Sequence, residues 1–503
     1  MKAYRFIILT IALALLISCS VPSADKTIDN YPPIWPDYVG VTVPSTIAPL
    51  NFSFTEGCGG DGIAVSVCDE SGSELISLSD KETIKFPIRK WHKMLKSNEG
   101  KSLSFAVIIR RNGVWTAYKP FSVDISADAI DYGLTYRLIK AGYQSFGHMG
   151  IYERNLSNFR QKTVLDNKMF DAGCLNCHTS NRTDPSSYSL HIRGDHSATL
   201  LTRDGQTECL NTITDETGGF FVYPSWHPSG EYIAYSVNKT RLSFYTHTDK
   251  KIEVYDQASD LIVYKPETHE VILSDLVRRK DKFENYPSFS ADGSEIYFVS
   301  SEAGDLPKEM EGNQYSLCKI AFDAEAGRFG DKVDTLVNGP ALGMSINTPR
   351  PSYDGRFVMV AAMDFGTFPI WHPEADLWLY DIKTGDFRNI EEINSDCPDS
   401  FHNWSSSSRW VVFTTRRDNS LYTLLYIAHM DEDGHFGRPF LLPQRNPRKY
   451  YDQLMYSFNT PDFTSAPVDL DPRAARKMLL STERTRVRVR CLTSRLFPFR
   501  ECF

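Results

Sequence analysis

Tyr223-Pro224-Ser225-Trp226-His227-Pro228-Ser229-Gly230, followed at once by the strand-like run Tyr232-Ile233-Ala234-Tyr235-Ser236, is the stretch that decides the fold. It recurs along the chain. Tyr286-Pro287-Ser288-Phe289-Ser290-Ala291-Asp292-Gly293 precedes an apolar run at 296–299, and Pro349-Arg350-Pro351-Ser352-Tyr353-Asp354-Gly355 precedes another at 357–361. A worn copy, His402-Asn403-Trp404-Ser405-Ser406-Ser407-Ser408, precedes a run at 410–414. With Gly230, Gly293, Gly355 and Ser408 taken as equivalent points, the copies lie 63, 62 and 53 residues apart. Each copy has a later apolar run, at 261–264, 317–322, 377–381 and 424–428, and Gly327, Gly385 and Gly434 sit in the turns after three of them. One unit is thus a few short antiparallel strands opened by a tight turn. Such a unit cannot bury both faces alone, so the copies must stack. Radial stacking leaves only short, protected edges. The pattern predicts a mainly β chain with a propeller of five or six blades over 185–465. The closing blade is expected from 190–210 together with the C-terminal stretch Tyr456-Ser457-Phe458-Asn459.

Upstream, residues 47–124 hold short strand-like runs at 51–54, 63–67 and 103–109, separated by Gly59-Gly60-Asp61-Gly62, Ser71-Gly72 and Asn112-Gly113. They predict a small β-sandwich-like domain. In 125–184, Ile130, Leu134 and Leu138 recur every four residues and Gly142 follows, which predicts a short helical segment. After 465, Pro472 follows Asp471 and begins an expected short helix to Leu480 in a C-terminal tail over 466–503. The basic stretch 484–490 reads as an edge strand or a loose tail.

The N-terminus reads as an address. Lys2 and Arg5 precede an apolar run over 6–17, of signal-peptide length, ending in Leu16-Ile17-Ser18-Cys19. This matches a bacterial lipobox, so residues 1–19 are expected to direct export and Cys19 to carry the lipid anchor. Residues 20–46, polar and with five prolines, read as a tether. The expected location is the cell envelope, membrane-anchored and facing the periplasm. With 55 basic against 63 acidic residues and a net charge of −8, nothing in the electrostatics favours nucleic acid as a partner. Cys58 and Cys68 flank a turn and are candidates for a disulfide in that compartment, with buried free thiols as the alternative.

One motif carries chemistry. Cys174-Leu175-Asn176-Cys177-His178 has the spacing of covalent c-type haem attachment: two thiols reach two vinyl groups across one porphyrin edge, and the adjacent imidazole binds iron from below. Composition alone would produce roughly 0.005 such matches in a chain of this length. A zinc site would need a second ligand pair at similar spacing, and a dithiol centre would need a helix start in a βαβ setting. Cys174 and Cys177 are therefore the expected attachment points, His178 the proximal iron ligand, and His191 the first candidate for the sixth ligand. His227 stands where the other copies have serine and reads as a turn residue.

The Pro-Ser-Trp-His-Pro-Ser-Gly and Pro-Ser-Phe-Ser-Ala-Asp-Gly units resemble the WD-type repeats of TolB-like propellers. The mature chain as a whole resembles a family of TolB-like lipoproteins with a c-type haem motif ahead of the propeller. The resemblance rests on Ile130-Asp131-Tyr132, Tyr136-Arg137-Leu138-Ile139, the segment 174–178, His191-Ile192-Arg193-Gly194 and Tyr450-Tyr451-Asp452-Gln453-Leu454-Met455. It implies one covalent haem c and one-electron transfer, or a redox-linked interaction, with an envelope partner. The alternative is a non-catalytic propeller scaffold that binds a protein or glycan, with a structural haem or none. No Gly-x-Ser-x-Gly elbow, phosphate-binding loop or His-Glu-x-x-His helix is present, so catalysis beyond redox has no motif behind it.

Overall fold

The computed structural model describes residues 21–55, 60–79, 82–141, 147–170, 173–245 and 250–490. The chain is mainly β and falls into two compact units: Met1–Ala127 with Pro443–Leu454, and Asp128–Leu442 with Met455–Phe503. The leader, Cys19 and Cys58 lie outside the described residues.

The first unit contains a seven-stranded sheet, with Lys101–Arg111 paired to Gly62–Cys68, Val114–Ala117 and Phe121–Ser126, and a three-stranded sheet. The expected tether is part of this unit. Lys26–Thr27 and Thr42–Pro44 pair in parallel with the larger sheet, and Ile34–Trp35 joins the smaller one. Tyr38, Val41 and Val43 are buried. Five prolines suggested a solvated linker, but the apolar residues spaced between them have a sheet to cover. A helix at Ile88–Lys96, which the turn-and-strand pattern did not suggest, buries Trp91, Met94 and Leu95. Trp91 stacks on Phe86 at 5.3 Å and donates its indole N–H to the Ile47 carbonyl at 3.1 Å. Asn51 ties in the late segment, donating to the Gln444 and Arg445 carbonyls while its own oxygen accepts from the Phe86 N–H.

The second unit is a β-propeller. Among the described residues it has six sheets, each with four antiparallel strands, and two of them carry a fifth strand added in parallel. The first sheet joins Gly133–Ile139, Gly150–Asn155 and Gln161–Asp166 to the late strand Ser457–Thr464. The second runs from Cys174–Asn181 through Gln206–Asn211, the third from Phe221–Trp226 to Glu270–Ile272, and the fourth from Lys282–Phe289 to Arg328–Val337. The fifth runs from Ser345–Pro351 to Phe387–Asn389, and the sixth from Asp399–Trp404 to Phe440–Leu441. Cys174–Asn181, Phe221–Trp226, Lys282–Phe289, Ser345–Pro351, Asp399–Trp404 and Ser457–Thr464 touch one another in turn and close a ring. These are the inner strands. Apolar clusters fill the gaps from the first sheet to the sixth.

Three expectations about this unit change. The ring begins near residue 128 rather than at 185. Residues 125–184 hold no α-helix among the described residues; Gly133–Ile139 is a strand. A spacing of four is common to both periodicities, and Leu134, Tyr136 and Leu138, all buried, follow the strand's period of two. The stretch at 190–210 and the C-terminal strand belong to different sheets, because Ser457–Thr464 clasps Gly133–Ile139 instead.

The repeat itself is as the sequence predicts. Gly230, Gly293, Gly355 and Ser408 all adopt positive φ, from 58° to 81°. In each turn the same two backbone hydrogen bonds form, for example Gly293 N–H to the Ser290 carbonyl and Ser290 N–H to the Glu295 carbonyl. The helix Pro472–Leu480 is capped by the Asp471 side chain and buries Ala475 and Leu479 between the first and second sheets. Beyond it, Thr485–Arg486 and Arg488–Val489 add in parallel to the edges of the second and third sheets, with Val487 buried between them.

Candidate functional site

Each inner strand carries the same irregularity. A non-glycine residue with positive φ stands in all six: Cys177 (29°), Tyr223 (51°), Tyr286 (54°), Thr348 (44°), Phe401 (44°) and Thr460 (42°). A one-residue register shift accompanies every one of them. Lined up on this bulge, the following residue is His178, Pro224, Pro287, Pro349, His402 or Pro461, and the preceding one is Asn in four strands: Asn176, Asn285, Asn347 and Asn459. Leu175-Asn176-Cys177-His178-Thr179 is therefore the second sheet's copy of the inner-strand repeat. The motif lies in a strand, within the stretch expected to be a short helical segment.

Cys177 and His178 are each only 6% exposed. Burial raises the Cys177 thiol's pKa, with the nearby Arg193 and Arg137 guanidinium groups opposing. Burial, then Arg137, holds the His178 imidazole neutral, down to about 3. The Thr135 backbone offsets this only in part, and neither ring nitrogen makes a hydrogen bond of ordinary geometry. His402, at the same position of the sixth sheet, is also held neutral by burial, down to about 3, and bonds the Met359 carbonyl at 3.0 Å. A histidine after the bulge thus already serves this ring as a packing residue.

His191 does not converge with His178. Along Asp184–Arg193, Tyr188, Leu190 and Ile192 pack with Leu175 toward the first sheet, and His178 lies opposite Leu190 with its ring 6.3 Å from Tyr188. The alternate residues face the other way: Ser189 Oγ lies 3.2 Å from the Tyr235 hydroxyl, and the His191 ring lies 5.2 Å from Phe220 and bonds Thr199 Oγ1 at 3.0 Å. The sheet itself separates the two imidazoles. His148, another nearby histidine, is engaged by Tyr456 and Asp166. In the closed ring Cys177 and His178 are buried in a paired inner strand, and His191 lies on the other face of that sheet. Among the described residues no cluster of His, Cys, Asp or Glu is placed to hold a metal ion.

The ring does offer a different site. A cavity of about 60 Å³ is lined by the inner strands just past the bulge: Thr179 and Ser180, Ser225 and Trp226, Ser288 and Phe289, Arg350 and Pro351, and Asn403, from five sheets. The clasp strand supports it from behind. The Asp462 carboxylate accepts from the Ser180 N–H at 3.0 Å, Thr179 Oγ1 at 3.1 Å and Asn403 Nδ2 at 2.7 Å. Burial raises that carboxyl's pKa to about 7 despite these bonds and the Arg350 charge. Ser225, Trp226, Ser288, Phe289, Arg350, Pro351 and Asn403 stand in the repeat copies visible in the sequence, where no site is assigned to them, and Thr179 and Ser180 lie outside those copies. Their convergence appears only once the ring closes.

No family model and no curated protein matches the chain. Among solved structures it is similar to prolyl oligopeptidase B from Galerina marginata bound to a 25mer macrocyclization substrate, at 11% identity over 68% of this chain and 44% of that one, with a TM-score of 0.35. It is likewise similar to an oligogalacturonate lyase in complex with manganese (11% identity, 62% and 74% covered, TM-score 0.35) and to a DUF4784 family protein from Bacteroides caccae (8% identity, 72% and 95% covered, TM-score 0.31). The chain spans less than half the length of that prolyl oligopeptidase. At these identities and scores the likeness does not extend to an activity.

Proposed function

We propose that this protein is a non-catalytic, ligand-binding six-bladed β-propeller with a sandwich-like N-terminal domain, exported and lipid-anchored through Cys19, which receives part of an envelope protein or glycan at the axial cavity. The observation that carries the reading is the cavity itself, built by polar side chains from five inner strands and backed by the sixth. The rival reading, one-electron transfer by a haem on Cys174 and Cys177 with His178 on the iron, asks a buried inner strand to leave the ring. In the reading adopted here that strand is structural, and the motif's spacing coincides with the repeat.

A thermal-shift panel tests the proposal on the full mature chain, with fragments of envelope glycans and short peptides, charged and neutral. A ligand at ten times its Kd adds about 1.4 kcal/mol to the folded state, which raises Tm by about 1–2 °C. Silence across both classes sinks the binding role. An exported chain whose intact mass includes one covalent haem sinks the assignment of residues 174–178.

A further inference from the structure

We propose that the axial cavity is a carboxylate site, one that receives the terminal carboxylate of an acidic sugar or a peptide among Arg350, Trp226 and Ser180; this rests on the binding role above and names its ligand class.

The cavity's donors and acceptors are out of balance. The Trp226 indole N–H and the Ser180 hydroxyl have no partner among the described residues, although the two residues are only 5% and 2% exposed. Buried polar groups are nearly always paired, and an orphan raises the question of what completes it. The sister residue makes the point sharper: Trp404, one position of the same repeat, donates to the Arg350 carbonyl at 2.8 Å. Arg350 lines the same space, and among the described residues its guanidinium forms no ion pair or hydrogen bond within ordinary limits. The carboxylate behind the cavity, in contrast, is already engaged. Both Asp462 carboxylate oxygens are engaged, by Asn403 on one side and by Ser180 N–H and Thr179 on the other. The residues lining the cavity thus bring a cation, an unpartnered N–H and an unpartnered hydroxyl, the last two reached by a small shift of the side chains around them.

An acceptor-rich anion answers that set, and a charge-assisted bond to a guanidinium is among the stronger ones available. The planar fork of arginine matches a carboxylate's two oxygens. Asp462 behind the donors disfavours a second negative charge, which selects a monoanion over phosphate. Size selects a terminal group. About 60 Å³ admits a carboxylate and the carbon it hangs from, with the rest of the ligand outside. Arg182, exposed at the rim, donates to the Ala291 carbonyl and lies 5.6 Å over the Tyr353 ring, so the cavity reaches solvent there.

Isothermal titration calorimetry on the full mature chain tests this with D-glucuronate and acetyl-alanyl-alanine as the two carboxylate sources. D-glucose and the dipeptide amide serve as neutral counterparts, and inorganic phosphate as the dianion. At least one carboxylate is expected to saturate the site, with its neutral counterpart tenfold weaker or more. Arg350→Gln is expected to weaken it about tenfold or more and Trp226→Phe about three- to tenfold. Trp226→Phe should fold normally, because Phe289 fills the same repeat position in the next sheet. Neutral analogues or phosphate binding as tightly as the carboxylates overturn the ligand class. Undiminished affinity in Trp226→Phe overturns the site. Failure of both carboxylates while a neutral fragment still shifts Tm overturns this inference and leaves the binding role standing; failure of every ligand overturns both.

Discussion

Replacing His178 by proline is expected to stabilise the propeller by about 1–3 kcal/mol. A neutral imidazole carries one N–H and one bare nitrogen, and at His178 both are buried without a bond of ordinary geometry. Leaving buried polar groups unmade costs about 1–3 kcal/mol. Proline removes them and restricts the unfolded chain by a further 0.4–1 kcal/mol or so, against which stands a cost of about 1 kcal/mol for the space the larger imidazole vacates. The backbone already accepts it: Tyr223-Pro224, Tyr286-Pro287, Thr348-Pro349 and Thr460-Pro461 each place proline after a positive-φ residue at this same bulge. A second signature lies in the pH dependence. The His178 imidazole is depressed from 6.5 to about 3 in the folded chain, so the unfolded chain binds the extra proton between those values and stability falls as pH drops through that window. Each such histidine contributes a slope of about 1.4 kcal/mol per pH unit at most. His178→Pro should lower the slope by one histidine's share and leave those of His191 and His402. Urea denaturation of the full mature chain at pH 7 and pH 5 reads both effects. A variant less stable than the parent at pH 7, or a parent with a c-type haem spectrum that the variant loses, refutes the structural role given to this strand.

Gly293→Ala is expected to cost about 2–4 kcal/mol, because its φ is +81° and a methyl there would overlap the His227 imidazole. Adding His227→Ser, the residue found in the other copies, should recover the steric part, while Gly355→Ala, with Ala291 Cβ at 3.5 Å, should cost only about 1 kcal/mol in thermal melts. Val487→Asp buries a charge between the edges of the second and third sheets, so a loss of about 2 kcal/mol or more and earlier proteolysis of the C-terminal tail are expected. Cys177→Tyr, which installs the side chain of Tyr223 and Tyr286, should leave the far-ultraviolet spectrum unchanged; loss of the folded state would mean that the six bulges are not equivalent.

Local chemistry made part of this protein legible. The turn at Gly230, Gly293, Gly355 and Ser408 repeats because short polar side chains and a residue tolerant of positive φ specify it within a few positions, so four blades and their spacing could be read directly. The helix from Pro472 was readable for the same reason: its cap and first residue are adjacent. The clasp was not. Ser457–Thr464 finds Gly133–Ile139 across more than 300 residues, and a spacing of four at Leu134 and Leu138 fits strand and helix alike. The cysteine motif shows the limit most clearly. Sequence determines that two thiols and an imidazole stand at a given spacing, but only the closed ring decides that two of the three are buried in an inner strand, and that Arg350, Trp226 and Ser180, far apart in the chain, meet around one cavity. Burial and convergence depend on contacts between distant segments, which no local pattern encodes.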